Sequence, residues 1–314
     1  MPNYLVTGGA GFIGSHLVEA LVRRGDRVRV LDNFSTGKVE NLAEVADDVE
    51  LRSGDVCDEA AMQRAVAGCE VVFHQAALAS VPRSLEEPLA THAACATGTL
   101  VVLHEARKAG VRRVVYAGSS SAYGNPPHSS APKRETDMPS PLSPYAAAKL
   151  AGEMYCQAFW KSYGLETVVL RYFNVFGPRQ DPSGPYAAVI PLFIKAILAG
   201  KQPVIFGDGG QTRDFTYVEN VVQANLLAAA AEGAAGQTLN IGSGVAYSLL
   251  EVLGEINSIL GTQVGPHFQP ERAGDVRDSL ADISRAKDVL GYAPAVGFVE
   301  GLQRTADSYR GKGL

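Results

Sequence analysis

Tyr145 and Lys149 stand four residues apart in the run PYAAAK. On a helix that spacing puts both side chains on one face. A tyrosine phenol ionises near pH ~10 in water, so it works as a base at neutral pH only if something stabilises the phenolate. A neighbouring ammonium does this, and so does a positively charged nicotinamide ring. Lys149 can also hold the ribose beside such a ring. Alone, the pair describes an ordinary amphipathic helix. It gains chemical meaning from Ser119-Ser120-Ser121, which follows an apolar run at 113–117. A hydroxyl there can bond the substrate oxygen that Tyr145 would deprotonate. Ser119 and Ser120 are both candidates for that hydroxyl.

A second group of residues lies at the start of the chain. In TGGAGFIGS, Gly8, Gly11 and Gly14 have the spacing G-x-x-G-x-x-G, after a short apolar run and before a helical one. Such a turn brings backbone close to a pyrophosphate, and the helix N-terminus offers free N–H groups to an anion. Asp32 ends the next apolar run, 18 residues after Gly14. A carboxylate there accepts from adenosine ribose hydroxyls and repels a 2′-phosphate, which favours NAD over NADP. Asp32-Asn33 capping a turn is the plainer alternative. Asp55 is placed for an adenine contact, or for capping the helix before Asp58.

The elements that must position these groups follow from periodicity. Strands are expected at 3–7, 27–31, 49–53, 71–74, 113–117 and 166–171, and helices at 11–24, 59–67, 88–109 and 144–163. Continuous apolar strands separated by helices predict an α/β fold, a Rossmann-type doubly wound parallel sheet. The second half is more broken. It predicts helices at 187–199, 218–231, 249–260 and 284–290, with strands at 203–206, 238–241 and 265–269. This suggests a smaller α/β C-terminal lobe. The boundaries expected are 1–173 and 174–314, with about 214–243 returning to the first lobe. No Gly/Ser or Pro linker separates the halves, so the lobes should interleave around a cleft. The segment 125–144 holds six prolines and little periodicity, which marks a loop bordering the active site.

The bulk numbers set limits. A chain of 314 residues with 46% apolar and 19% charged residues has enough apolar side chains for large cores and too little charge for extensive disorder. A net charge of −5 with no basic block argues against nucleic acid as the main partner. Cys57, Cys69, Cys95 and Cys156 show neither metal-ligand nor disulfide-framework spacing, so they read as free thiols in a reducing cytoplasm, with no metal. No run is long enough to span a bilayer, and no signal peptide is evident.

Taken with these features, the motifs TGGAGFIGSH, LDNFSTGK, FHQAA, SSSAYGNP, PLSPYAAAK, LRYFNVFGPRQ, FGDGGQTRDFTYV, NIGSG and ERAGDVRDSLAD carry a likeness over essentially the whole chain. It resembles the extended short-chain dehydrogenase/reductase family, and within it the UDP-hexose 4-epimerases. The resemblance implies an NAD-binding first lobe, a UDP-sugar-binding second lobe and a homodimer packed through the helices near 88–109 and 144–163. It adds Phe12, Ile13, Asn33, Ser35, Gly37, Val56, Gln75, Ala76, Ala77 and Tyr172 to the cofactor site, beside Tyr145 and Lys149. The implied reaction removes the sugar 4-hydroxyl proton to Tyr145 and passes hydride from C4 to NAD. The 4-keto sugar then turns within the cleft, and hydride returns to its other face.

The same likeness assigns the substrate. Asn174 should meet the UDP phosphates, and Val189 with the run from Val204 to Phe206 should flank the uracil. Arg213 and Arg272 should clamp the pyrophosphate, and Asp275 should hold the uridine ribose. Ser279 stands where some relatives carry a large tyrosine. With the small Ala188, it leaves room for a 2-acetamido group, so the expected substrates are UDP-GlcNAc/UDP-GalNAc together with UDP-Glc/UDP-Gal. Cys95 occupies a place where the family often has asparagine. Dehydratases of this type carry an Asp-Glu pair after the catalytic hydroxyl, which is missing here. UDP-glucuronate 4-epimerase remains the main rival, because Arg83 or Arg179 could meet a carboxylate. A non-enzymatic NAD sensor is disfavoured by the intact Tyr145 and Lys149.

Overall fold

The computed structural model describes residues 3–125, 131–183, 187–271 and 276–310. Its first part alternates β1 (Asn3–Thr7), α1 (Phe12–Arg23), β2 (Arg27–Asp32), β3 (Val49–Ser53), α2 (Glu59–Val66) and β4 (Val71–His74). Then come α3 (Val81–Glu86), α4 (Pro88–His92), α5 (Gly98–Lys108), β5 (Arg113–Ser119), α6 (Pro144–Tyr163) and β6 (Glu166–Tyr172). The second part holds β7 (Val175–Phe176), α7 (Val189–Leu198), β8 (Val204–Phe206), β9 (Thr212–Asp214), β10 (Thr216–Tyr217) and α8 (Val218–Ala230). It ends with β11 (Thr238–Ile241), β12 (Ala246–Ser248), α9 (Leu249–Leu260), β13 (His267–Gln269), β14 (Asp278–Ser279), α10 (Ser284–Leu290) and α11 (Phe298–Arg310).

Seven strands form one sheet in the order β11-β6-β5-β4-β1-β2-β3, all parallel. This is the doubly wound sheet expected from the sequence. Chain order reverses between β1 and β4, where Thr7 pairs with His74. The crevice beyond the strand ends at such a switch point is where ligands bind in open α/β sheets. Side chains alternate between faces along each strand. Tyr4, Val6, Val28, Val30 and Phe73 pack with α1, α8 and α10 residues on one face. Leu5, Leu31, Val72, Val114 and Tyr116 pack with residues of α2, α5 and α6 on the other.

A separate apolar core gathers Ile190, Phe193, Ile197, Ile205, Val252, Ile256, Leu302 and Ala306 around Phe176 and Phe298. Tyr247 stacks on Phe298 with ring centroids 4.1 Å apart. Here the strands are short, with β12-β9-β14 as the largest set. Beyond residue 173, α8 packs on α1 and β11 joins the main sheet beside β6.

Several elements differ from the sequence expectation, two of them long helical stretches. The single helix expected at 88–109 is α4 and α5 joined by a π-helical turn at Ala93–Thr97. The wider turn brings Cys95 and Ala96 into the core against Ala148, Ala151 and Tyr145. Helix α11 was not expected. Its apolar stripe of Phe298, Leu302, Ala306 and Tyr309 is diluted by charge, and Gly301 sits where a Cβ would meet the Tyr217 ring at 2.7 Å. Among the described residues no helix is long and apolar enough to cross a membrane.

Helix α6 is fixed to the sheet by a buried ion pair. Arg171 on β6 donates to Glu153 from Nε at 2.9 Å and from Nη2 at 2.6 Å, and both side chains are at most 3% exposed. The Arg171 guanidinium also lies over the Tyr123 ring, 4.6 Å from its centroid. Breaking a buried pair leaves a charge without compensation, whereas replacing both partners does not. Glu153→Ala is therefore expected to cost about 3–5 kcal/mol in denaturant unfolding. Glu153→Leu combined with Arg171→Met should recover most of that loss.

Candidate active site

A cleft of about 1050 Å3 opens over the switch point and runs from the loops after β1, β2 and β3 to the start of α7 and the strands β9 and β14. At one end the glycine turn is set by contact rather than by propensity. Gly8 has φ +68°, and a Cβ there would stand 2.7 Å from the Ala76 backbone. A Cβ on Gly14 would come within 2.1 Å of the Gly8 carbonyl. Helix α1 begins at Gly11 with no side-chain cap and no acid in its first turn. Its free N–H groups and positive end are left to an anion in the cleft.

Asp32 is 7% exposed and accepts from the N–H groups of Ala10 at 2.9 Å and Phe34 at 2.8 Å. A Cβ on Gly37 would lie 2.9 Å from this carboxylate, so a glycine is what lets the next loop close over it. The carboxylate thus does stabilise a turn, and it lines the cleft as well. Asn33 donates to Asp55 at 2.7 Å, and Cys57 N–H donates to Asp55 at 2.8 Å. Although burial opposes it, these bonds hold the Asp55 carboxyl below its usual range. An uncapped helix start, a glycine cradle and an acid placed for ribose hydroxyls fit an NAD molecule. Phe12, Ile13, Ser35, Val56, Gln75, Ala76, Ala77 and Tyr172 line the same end. Gln75 donates to the Tyr172 hydroxyl at 3.1 Å and to Asn225 at 3.0 Å.

In the middle of the cleft β5 ends at Ser119 and α6 begins beside it. Ser143 caps α6 by accepting from Ala146 N–H, with Pro144 at the first position, which places Tyr145 in the first turn. Ser119 stands close enough to the Tyr145 phenol for its hydroxyl to favour the ionised form. Ser119 Oγ also accepts from Ser121 N–H at 3.2 Å and lies 2.7 Å from Ser121 Oγ. Ser120 lines the cleft too, but it is Ser119 that acts on the Tyr145 phenol. Lys149 stands one turn behind, 3% exposed and outside the lining. Burial pushes the Tyr145 phenol above its ordinary value and pulls the Lys149 ammonium below its own.

Toward the far end the cleft is lined by Asn174, Ala188, Arg213 and Ser279. Arg213 on β9 pairs in register with Ser279 on β14. Val189 packs into the second core instead. Val204 and Phe206 on β8 are likewise not brought to the cleft wall, and Val204 is 40% exposed. On β8 the buried residue is Ile205, and its neighbours Val204 and Phe206 face the other side by strand alternation. Arg272 and Asp275 lie outside the described residues.

The sequence reading did not name Lys38, Tyr123, Lys133 or Asp181, which also line the cleft. Lys38 pairs with Asp181 at 3.0 Å across its mouth. Lys133 is 4% exposed, and its N–H donates to Leu280 O at 2.7 Å. Tyr123 stands just before the proline-rich segment and Lys133 within it, which was the available signal. Arg179 and Arg83 line the cleft, yet Arg179 donates to Ser15 at 3.1 Å and pairs with Glu19. Arg83 donates to Glu87 at 2.8 Å. Among the described residues no group of three or more His, Cys, Asp or Glu is placed to hold a metal.

Overpacking a tight site costs about 1–3 kcal/mol, and about 1.4 kcal/mol is tenfold in affinity. Gly14→Ala should therefore weaken NAD binding by about ten- to a hundredfold in calorimetry. A wild-type affinity in that variant would mean the turn does not hold the cofactor.

A sequence profile described as the NAD dependent epimerase/dehydratase family matches residues 4–242. The chain is 43% identical to the UDP-glucose 4-epimerase of Mycolicibacterium smegmatis, over 98% of both chains. It superposes on the crystal structure of the Thermotoga maritima UDP-glucose 4-epimerase with UDP-glucose at a TM-score of 0.94, with 41% identity, covering 99% of this chain and 100% of that one. It superposes equally well, at a TM-score of 0.94 with 40% identity and 99% of both chains covered, on the UDP-N-acetylglucosamine 4-epimerase of Methanobrevibacter ruminantium in complex with UDP-N-acetylmuramic acid. With the glycine cradle, the acid after β2 and the Tyr145–Ser119 contact already in place, these likenesses settle the family: the chain belongs to the NAD-dependent epimerases and dehydratases.

Proposed function

We propose that this protein is a UDP-sugar 4-epimerase that interconverts UDP-GlcNAc with UDP-GalNAc and UDP-Glc with UDP-Gal. The observation that carries this reading is the Tyr145–Ser119 contact in the wall of a cleft that also holds a dinucleotide cradle. Tyr145, once ionised, takes the proton of the sugar 4-hydroxyl, and Ser119 holds the same oxygen by a hydrogen bond. Lys149 favours the phenolate through its positive charge. When bound, NAD supplies the nicotinamide that removes and returns the hydride at C4. Arg213 and Asn174 hold the UDP phosphates, with Arg272 and Asp275 assigned to the pyrophosphate and ribose.

The cleft's carboxylates do not suit dehydration. Asp32 and Asp55 serve the adenosine end, Asp181 pairs with Lys38, and Asp278 accepts from Thr212 at 2.7 Å. The residues after Ser119 are hydroxyls, not acids. Arg179 and Arg83 are committed to Glu19 and Glu87, which disfavours uronate recognition. Small side chains at Ala187, Ala188 and Ser279 leave room for a 2-acetamido group and for the keto sugar to turn. The protein works in the cytoplasm, in keeping with four free cysteines, and as a homodimer. Leu85, Leu89, Met154 and Tyr155, exposed on α3, α4 and α6, supply an apolar surface for it.

Incubation with UDP-Glc, UDP-GlcNAc and UDP-GlcA in separate vessels, read for each C4 epimer, tests the reading. Epimers are expected from the first two. Turnover of UDP-GlcA alone, or of none, would overturn it. Tyr145→Phe should lower kcat by about 10²–10⁴-fold while NAD remains bound. Ser279→Tyr should depress turnover of UDP-GlcNAc by about tenfold or more and spare UDP-Glc.

A further inference from the structure

Lys149 is a charge taken almost wholly out of water, yet the groups that face it carry no negative charge. Tyr116 from β5 presents its ring with the centroid 4.7 Å from Nζ. His74 comes from β4, Cys95 from the π-helical turn and Cys156 from α6 itself, with Tyr145 acting on Tyr116. The nearest carboxylate on the helix, Glu153, is spent on Arg171. A buried ammonium is stabilised by a carboxylate or by the negative face of an aromatic ring. The two differ in consequence. A carboxylate would cancel the positive field that Tyr145 needs, whereas a ring stabilises the ammonium and leaves its charge intact.

Tyr116 is fixed from several directions. Its hydroxyl donates to the Lys149 carbonyl at 3.1 Å. That hydroxyl fills the space a side chain at position 152 would take, since a Cβ on Gly152 would lie 2.3 Å from it. The His74 ring lies tilted against it, with centroids 5.7 Å apart. His74 is held in turn: Nδ1 is 2.7 Å from Thr7 Oγ1 and Nε2 is 3.0 Å from Thr99 Oγ1. Thr99 spends its own proton on the Cys95 carbonyl at 2.6 Å, so it accepts from Nε2, and Nδ1 accepts from Thr7. Burial, with help from the Lys149 charge, pulls His74 down to about 3. It is a neutral prop at any working pH and adds no competing cation.

We infer that Tyr116 is a positioning residue for the reaction: its ring face, braced by His74, holds the Lys149 ammonium beside Tyr145. The inference rests on the reading of Tyr145 as the base, and it goes beyond that reading by naming what keeps Lys149 charged. The pH consequence has a definite sign. Activity needs Tyr145 ionised, which sets the acid limb, and Lys149 protonated, which sets the alkaline limb. Weakening the ring face lowers the value at which Lys149 loses its proton, so the alkaline limb moves down. A ring with a weaker hold also lets the ammonium drift from Tyr145, which raises the phenol, so the acid limb moves up. The active window narrows from both sides.

The test uses the holoenzyme with Tyr116→Phe and with mono-, di- and trifluorinated phenylalanines at position 116. These are nearly isosteric but have progressively weaker ring faces. Two readouts are followed against pH: kcat for UDP-Glc and UDP-GlcNAc, and the tyrosinate absorbance of Tyr145, taken as the difference from the same protein with Tyr145→Phe. Tyr116→Phe should keep both limbs near their wild-type positions. Across the fluorinated series the limbs should converge by about one pH unit each, with KM little changed and the tyrosinate titration moving up in step. Limbs that stay in place while kcat falls evenly would reduce Tyr116 to packing and overturn the inference. So would a Tyr116→Phe variant as impaired as the trifluorinated one. If no UDP-sugar is epimerised, the functional reading fails. The tyrosinate titration then still reports whether the ring governs the ionisation of Tyr145.

Discussion

The buried pair between Glu153 and Arg171 decides how α6 is turned about its axis. Tyr145, Lys149 and Glu153 follow one another at intervals of four and share a helix face. A carboxylate sealed in the core has to meet its guanidinium, so docking Glu153 onto β6 brings Lys149 under the sheet's edge and leaves Tyr145 at the helix start, against Ser119. The same Arg171 reaches over Tyr123, whose hydroxyl donates to Asn240 on β11 at 2.6 Å. One charge pair therefore ties α6 to the strand beyond it and to the loop bordering the cleft.

A second anionic centre joins the lobes. Asp214 is fully buried and accepts from Ser243 N–H and Oγ at 2.7 Å, from Gly244 N–H at 3.0 Å and from Ala281 N–H at 3.2 Å. It draws together β9, the loop after β11 and the chain after β14. Arg213 and Ser279 are the next residues out on those strands. The far wall of the cleft thus inherits its geometry from a carboxylate outside its lining.

Much of the architecture was legible in the sequence because the sheet is buried on both faces. Strands such as Val71–His74 and helices such as Leu249–Leu260 appear as unbroken or periodic apolar runs. The glycine turn was legible because its geometry admits almost nothing else. What stayed hidden depends on tertiary contact. Strands of two or three residues, such as β7, β10 and β14, are too short to show a period. The π-helical turn at Ala93–Thr97 arises from packing against α6, which local propensity does not encode. The sequence left Ser119 and Ser120 open, and only the approach of α6 favours the first. The burial of Ile205 rather than Val204 or Phe206 has the same origin: a motif gives a strand, but which of its faces is buried depends on the neighbour across it.

Gly152 has a consequence for how this chemistry travels between proteins. A glycine inside a helix weakens it by about 1 kcal/mol relative to alanine, and here it is required by the tyrosine hydroxyl that occupies its side-chain space. The segment with Tyr145 and Lys149 is therefore a weaker helix by itself than one with alanine at 152, and its shape fits its own sheet. Grafting it onto another scaffold would carry over the spelling without the fit. Redesign or gene shuffling would have to move helix and strand as one inherited block.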